Sequence, residues 1–167
     1  MLTSFDIKEP GLNVLPLGVE RHVVSGGGLT GIQIFPDDEI EIINDEGNQV
    51  CEISVFNKNG KSELSILNLK ENKDSSEIKK ILSKRDEASL VTSYQLKKRN
   101  LDINKSKSSI LFDEQTPSGE KIKIKSKDKC YVIFAAPQNN MLVYEQNPSS
   151  DLKLFIKRYK IVNDKEL

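Results

Sequence analysis

The side chains best suited to small-molecule chemistry are His22, Asn48, Gln49 and Glu52. Gln49 and Glu52 are polar, yet they stand in the apolar run QVCEISVFN, residues 49–57. A carboxylate beside an amide can hold a cationic amine or guanidinium, with Glu52 pairing with the charge and the Gln49 and Asn48 amides setting its orientation. His22 is the only histidine, and an imidazole suits general acid–base work near neutral pH. The plain alternative is that Gln49 and Glu52 face water on a sheet edge and that His22 caps or decorates a surface. Cys51 adjoins Glu52 but points to the opposite face of any strand. As a nucleophile it needs a base such as His22 to lower its pKa, and in apolar surroundings it packs as an inert small hydrophobe. His22, Cys51, Glu52 and Glu63 are metal-ligating types, but nothing in their spacing demands a metal.

Two further features suggest anion chemistry. Arg21 followed by Gly26-Gly27-Gly28 resembles a loop whose backbone N–H groups meet a ligand, without the full spacing of a phosphate-binding loop. Lys121, Lys123, Lys125, Lys127 and Lys129 recur every second residue and line one face if a strand runs that far. No aromatic residue interleaves to stack bases, so a guarded edge strand is the simpler reading.

These residues must be positioned by strands. TGIQIF (30–35), EIEIIN (39–44), QVCEISVFN (49–57) and SELSILNL (62–69) alternate apolar and polar residues between Pro-, Gly- and Asn-containing turns. Strands resume over 110–113, 121–125, 130–135, 141–145 and 151–162. Residues 1–20 read as irregular. Between the two strand sets the pattern turns helical. Asp74 and Glu77 form a capping-box-like start for Ile78, Ile81 and Leu82, and Asp86 caps a second helix carrying Leu90, Val91, Tyr94 and Leu96. Lys97, Lys98 and Arg99 then suit its last turn. The expected fold is mainly β: an antiparallel β-barrel or sandwich with a short helical insertion at about residues 75–99, within a polar stretch 72–107 of one β-rich domain spanning 1–167.

Composition narrows the classes. The 167 residues carry 25 Lys+Arg against 25 Asp+Glu, with 37% hydrophobic and 30% charged residues. Two cysteines and one histidine exclude a disulfide scaffold and a poly-histidine metal site. The longest apolar runs fall far short of the roughly 20 residues of a membrane-spanning helix. Residues 1–75 hold 6 basic and 13 acidic side chains, whereas 76–167 hold 19 basic and 12 acidic. Such a split marks an association surface if the halves stay apart, and intermixes on the surface if they interleave.

The stretch from His22 to Glu63 resembles the opening of the urea-carboxylase-associated proteins, at His22, Gly47, Asn48, Gln49, Phe56, Asn57 and Glu63. Glu52 stands where that family usually has Asp. The resemblance covers about residues 22–64 and fades after residue 70, where a later Gly- and Cys-containing segment of active members is missing. It implies a β domain in urea, guanidine, amine or one-carbon metabolism, including modules attached to aminomethyltransferase-type enzymes. It leads to a domain that binds a small polar nitrogenous metabolite at Asn48, Gln49, Glu52 and His22, or supports a larger enzyme. The alternatives are a non-catalytic assembly domain, docking through the basic C-terminal half or an exposed strand edge, and a metal-dependent amidohydrolase or deiminase; a homo-oligomer is compatible with each. Nothing names a cofactor. The expected setting is cytoplasmic, with no nucleic-acid or membrane partner.

Overall fold

The computed structural model describes residues 15, 17–138 and 149–160. Among the described residues eight strands fall in two antiparallel four-stranded sheets. They are β1 (Val19–Val24), β2 (Leu29–Ile34), β3 (Glu39–Asn44), β4 (Cys51–Asn57), β5 (Ser108–Leu111), β6 (Glu120–Lys125), β7 (Cys130–Ala135) and β8 (Leu152–Lys157). One sheet has the order β1-β8-β3-β6 and the other β2-β7-β4-β5. First beside last in one sheet, and second beside seventh in the other, is the nested Greek-key order of a jelly roll. The sheets face each other as a sandwich and do not close into a barrel. Among the described residues no helix is long and apolar enough to cross a membrane.

Alternation explains the central core. Cys51, Ile53 and Val55 of β4 meet Cys130, Val132 and Phe134 of β7, Ile40 and Ile42 of β3, and Leu152, Leu154 and Ile156 of β8 between the sheets. The residues between them on β4 and β7 are buried as well, because a helical layer covers the outer face of that sheet. Helices α1 (Ser76–Leu82) and α2 (Glu87–Lys98) lie in the connection from β4 to β5. Ile78, Ile81 and Leu96 from the helices pack on Leu29, Phe56, Tyr131, Ile133 and Ala135. This second cluster explains why β7 reads as a continuous apolar run rather than a clean alternation.

Several local expectations change. The segment 62–69 is not a strand: Ser62 makes a single bridge to Phe56 and Leu64–Leu67 form a 3₁₀ turn. His22 belongs to a regular strand, β1, where irregular chain was expected up to residue 20. The lysine row breaks, because β6 ends at Lys125, so Lys127 and Lys129 leave the strand. Among the described residues β6 pairs only with β3, and its lysines sit on that edge, as a guarded edge requires. The last strand stops at Lys157. The expected strand 141–145 and residues 161 and 162 lie outside the described residues.

Of the apolar residues expected on helix α2, Leu96 faces the sheet and Leu90, Val91 and Tyr94 do not. Asp86 caps the helix, its carboxylate accepting from the Ser89 N–H at 2.9 Å. However, Ser89, Thr92 and Leu96 face inward, whereas Leu90, Val91 and Tyr94 are exposed by 48%, 57% and 63%. Small polar residues let the helix sit close to the sheet, and the Ser89 hydroxyl is satisfied by the Ile81 carbonyl at 2.8 Å.

Candidate functional site

The structure places Gln49 and Glu52 on the same chain segment and employs each inside the fold. Both are 0% exposed. The Gln49 amide nitrogen donates to the carbonyls of Pro137 and Val50, each at 2.8 Å, and its oxygen accepts from the Ser150 N–H at 2.8 Å. Its backbone carbonyl accepts from the Asn44 amide at 2.7 Å. Gln49 thereby ties the turn after β3 to the end of β7 and the start of β8. Asn48 adopts a left-handed conformation (φ 61°) that Asn tolerates. Its N–H donates to Thr116 O at 2.7 Å, and its side-chain amide reaches Glu114 O at 2.9 Å. Gly47 lies so close to Thr116 and Ser118 that a Cβ would meet the Ser118 nitrogen at 2.7 Å.

Glu52 faces the helical layer, opposite Cys51 as the alternation requires. Its Oε1 accepts from the Ile78 N–H at 2.8 Å, inside the first turn of α1. The expected capping box at Asp74 and Glu77 is therefore replaced: the N-cap position is Ser75, left-handed and without a side-chain cap bond, and a strand carboxylate satisfies the helix amide instead. Ser75 is buried and held by hydroxyl contacts at 2.7 Å to both Ser54 and Ser106. Burial pushes the Glu52 carboxyl above the usual carboxylate range, against the pull of the Ile78 N–H and the Ser108 hydroxyl.

His22 belongs to the other sheet. It stands opposite Leu154 in the β1–β8 pair, so it lies on the inward-facing side at the sandwich edge. Its Nε2 is 3.1 Å from Glu20 Oε1. His22 therefore joins an acid–base cluster that sequence reasoning missed. Arg158, only 9% exposed, donates through Nε and Nη2 to the two Glu20 oxygens at 2.9 and 3.0 Å, and through Nη1 to Asp38 at 2.7 Å and Gln33 O at 2.8 Å. Asp38 is 1% exposed and also accepts from the Phe35 and Tyr159 N–H groups. The Arg158 bond holds the Glu20 carboxyl below its usual range, against burial and with help from His22. Burial opposes the Arg158 charge, but Glu20 and Asp38 hold its pKa above the ordinary value.

The glycine loop is not an open anion nest. Gly26 N donates to Asp151, Gly27 N to Ala136 O and Gly28 N to Ser25 O. The cysteines line the sandwich interior. Burial pushes the Cys51 thiol far up and Cys130 up to about 11, so neither offers a thiolate near neutral pH. Both should therefore react with a disulfide reagent at pH 8 only as fast as the chain unfolds. Rapid labelling of the folded protein, read by mass spectrometry, would contradict this. Among the described residues no three His, Cys, Asp or Glu side chains gather closely enough to hold a metal ion.

The cleft that could take a small ligand lies under α2. It has a volume of about 540 Å³ and opens between the helix and the outer face of β2 and β7. Asp86 and Glu87 stand at one end, Val91 and Tyr131 form apolar walls, and Thr30 and Gln95 supply hydrogen-bonding groups. Tyr131 shapes its floor: the phenol oxygen occupies the space that a Cβ on Gly31 would fill, so glycine is required there. Burial holds the Tyr131 hydroxyl protonated, although nearby Arg99 pulls the other way. The only sequence signal for this cleft is the Asp86-Glu87 pair at the start of α2.

The chain is 29% identical over 152 residues to a trimethylamine-oxide aldolase of Ruegeria pomeroyi. The match takes in 91% of this chain but only 19% of that protein. No family model matches the chain. The likeness is distant, and it runs through both sheets and the helical layer rather than the 22–64 segment alone.

Proposed function

We propose that this chain is a small-ligand-binding, accessory jelly-roll domain of amine metabolism, related to the urea-carboxylase-associated proteins and built to serve a larger enzyme. The observation that carries the reading is the likeness over 91% of the chain to one fifth of a trimethylamine-oxide aldolase. The ligand is a small methylated amine, held in the cleft under α2. Asp86 and Glu87 attract its charge, Val91 and Tyr131 accept its methyl groups, and Gln95, Thr30 and the Tyr131 hydroxyl donate to an oxide or carbonyl oxygen. In this reading Asn48, Gln49 and Glu52 contribute by holding the frame, Glu52 through α1 and Gln49 through the strand ends.

Titration with trimethylamine N-oxide and trimethylamine at fixed ionic strength tests it. Saturable binding should raise the unfolding temperature of the wild type, by about 2.7 kcal/mol of added stability at a hundredfold excess over Kd. Glu87→Gln should weaken the affinity about 3- to 10-fold, the loss expected for one partly exposed charge contact. Equal binding by wild type and Glu87→Gln, or none by the wild type, would defeat the cleft assignment.

A second reading rests on the outward apolar face of α2. Leu90, Val91 and Tyr94 are exposed together on one helix, as an assembly surface would have them. Docking of this domain against the rest of a longer enzyme covers that face. Leu90→Glu would then release the domain from its partner without affecting amine binding, whereas Glu87→Gln would do the reverse.

A further inference from the structure

The feature left unused by that reading is Arg99, the residue that closes α2. Its guanidinium lies 4.5 Å over the Tyr131 ring. Nη1 donates to Gln33 Oε1 at 2.7 Å. Gln33 is fixed in turn, its amide nitrogen donating to Cys130 O at 2.9 Å and Ile34 O at 3.3 Å. The guanidinium is thus held flat and oriented before any ligand arrives, which removes much of the ordering cost of binding. Yet among the described residues no carboxylate pairs with Arg99, and its Nε is buried without a hydrogen-bond partner. Arg158 shows the contrast: there the fold supplies two carboxylates.

Arg99 borders a second cleft of about 260 Å³, which shares Tyr131 with the first. Lys58 and Lys129 line it as well, with Gln33 and Asn57. Neither lysine has an ion-pair partner among the described residues. Asp128, beside Lys129, is turned to its neighbour's backbone N–H at 2.8 Å. The C-terminal end of α2 contributes a partial negative charge of about one half, which three cations outweigh.

We infer that this cleft binds a small oxyanion, a carboxylate or a phosphate group. The guanidinium fork takes two of its oxygens and the lysines neutralise the remaining charge. A guanidinium suits this role because its planar N–H groups match the spacing of oxyanion oxygens. The site is distinct from the amine cleft and needs none of its carboxylates.

The test is titration of the chain with sodium phosphate and, separately, with sodium succinate, at an ionic strength fixed by sodium chloride. Calorimetry gives the affinity, and amide and guanidinium NMR signals locate the ligand. Saturable binding with shifts at Arg99 Nε–H and the Gln33 side-chain amide is expected, and the tighter probe identifies the oxyanion class. Arg99→Gln should weaken binding at least about tenfold, in keeping with the loss of a charge-assisted bidentate contact. Lys58→Gln with Lys129→Gln should weaken it several-fold without disturbing Tyr131, so the test stands even if Arg99→Gln fails to fold. Glu87→Gln should leave oxyanion binding unchanged, which separates this inference from the amine reading. Absence of saturable binding with both probes, or affinities unmoved by the lysine pair, would overturn it.

Discussion

Arg158→Ala should cost about 3–5 kcal/mol of stability, the loss typical when one partner of a buried ion pair is removed. For a chain of this length that lowers the melting temperature by on the order of 10 °C. The large effect follows from what stays behind. Asp38 is 1% exposed, so without the guanidinium its carboxylate is left charged in a nearly dry site. Glu20 loses two of its donors and the Gln33 carbonyl loses one at the same time. Arg158→Lys keeps a charge but cannot reach both carboxylates and the carbonyl, so it should recover only part of the loss. Arg158→Ala and Asp38→Ala should be strongly non-additive, with a coupling above about 1 kcal/mol in a double-mutant cycle. A single-mutant loss below about 1 kcal/mol would show that the cluster behaves as a surface ion pair. The dependence on pH has a definite sign. Arg158 holds the Glu20 carboxyl below its ordinary value of 4.5. The stability it contributes is present above that value and is lost as pH falls through the folded pKa. The gap between wild type and Arg158→Ala should therefore narrow in acid.

Glu52→Ala should cost about 2–4 kcal/mol, because it strands the buried Ile78 N–H and leaves a void beneath α1. Glu52→Gln keeps the oxygen that accepts from Ile78 and should cost far less. The sign with pH is opposite to that of Glu20. Burial raises the Glu52 carboxyl above its ordinary value of 4.5. Its favourable contribution is complete below that value and is lost as pH rises through the folded pKa, because ionisation is penalised in the folded state. Glu52→Gln cannot ionise, so relative to the wild type it should gain between pH 4 and pH 8, as read by urea unfolding. A gap that stays constant over that range would show that the carboxyl titrates alike in the folded and unfolded chains.

The strands were legible because their periodicity reports one buried face directly. What periodicity cannot show is a second buried face. In β4 the residues Glu52, Ser54 and Phe56 alternate with the core set Cys51, Ile53 and Val55, and only the fold reveals that helices cover that second face. Helix α2 differs for a related reason: Leu90, Val91 and Tyr94 point outward, and beside Leu96 its inward contacts come from Ser89 and Thr92, whose small size rather than hydrophobicity fits them to the sheet. The Asp86 cap was readable because it acts on Ser89, three residues away. The cap of α1 was not, because it comes from Glu52, 26 residues earlier.

The same distinction governs the candidate site. Gln49 and Glu52 stood out as polar residues among apolar neighbours, and they are indeed buried, but their bonding partners lie up to 101 residues away. Arg158 carries no signal in its local sequence. Its partners Glu20 and Asp38 are 138 and 120 residues distant. Arg99 matches a helix-end cation, and nothing in its sequence neighbourhood indicates that no carboxylate among the described residues meets it.

The origin of the α1 cap also sets an order of events in folding. A helix of 7 residues is too short to persist alone in water, where nucleation is unfavourable. Here the group that satisfies its first turn belongs to β4, and the apolar surface it rests on belongs partly to β7. α1 is therefore a late element, templated by a sheet that has already paired. The chain must first close loops between β4 and β7, and only then does residue 78 gain both its acceptor and its packing surface.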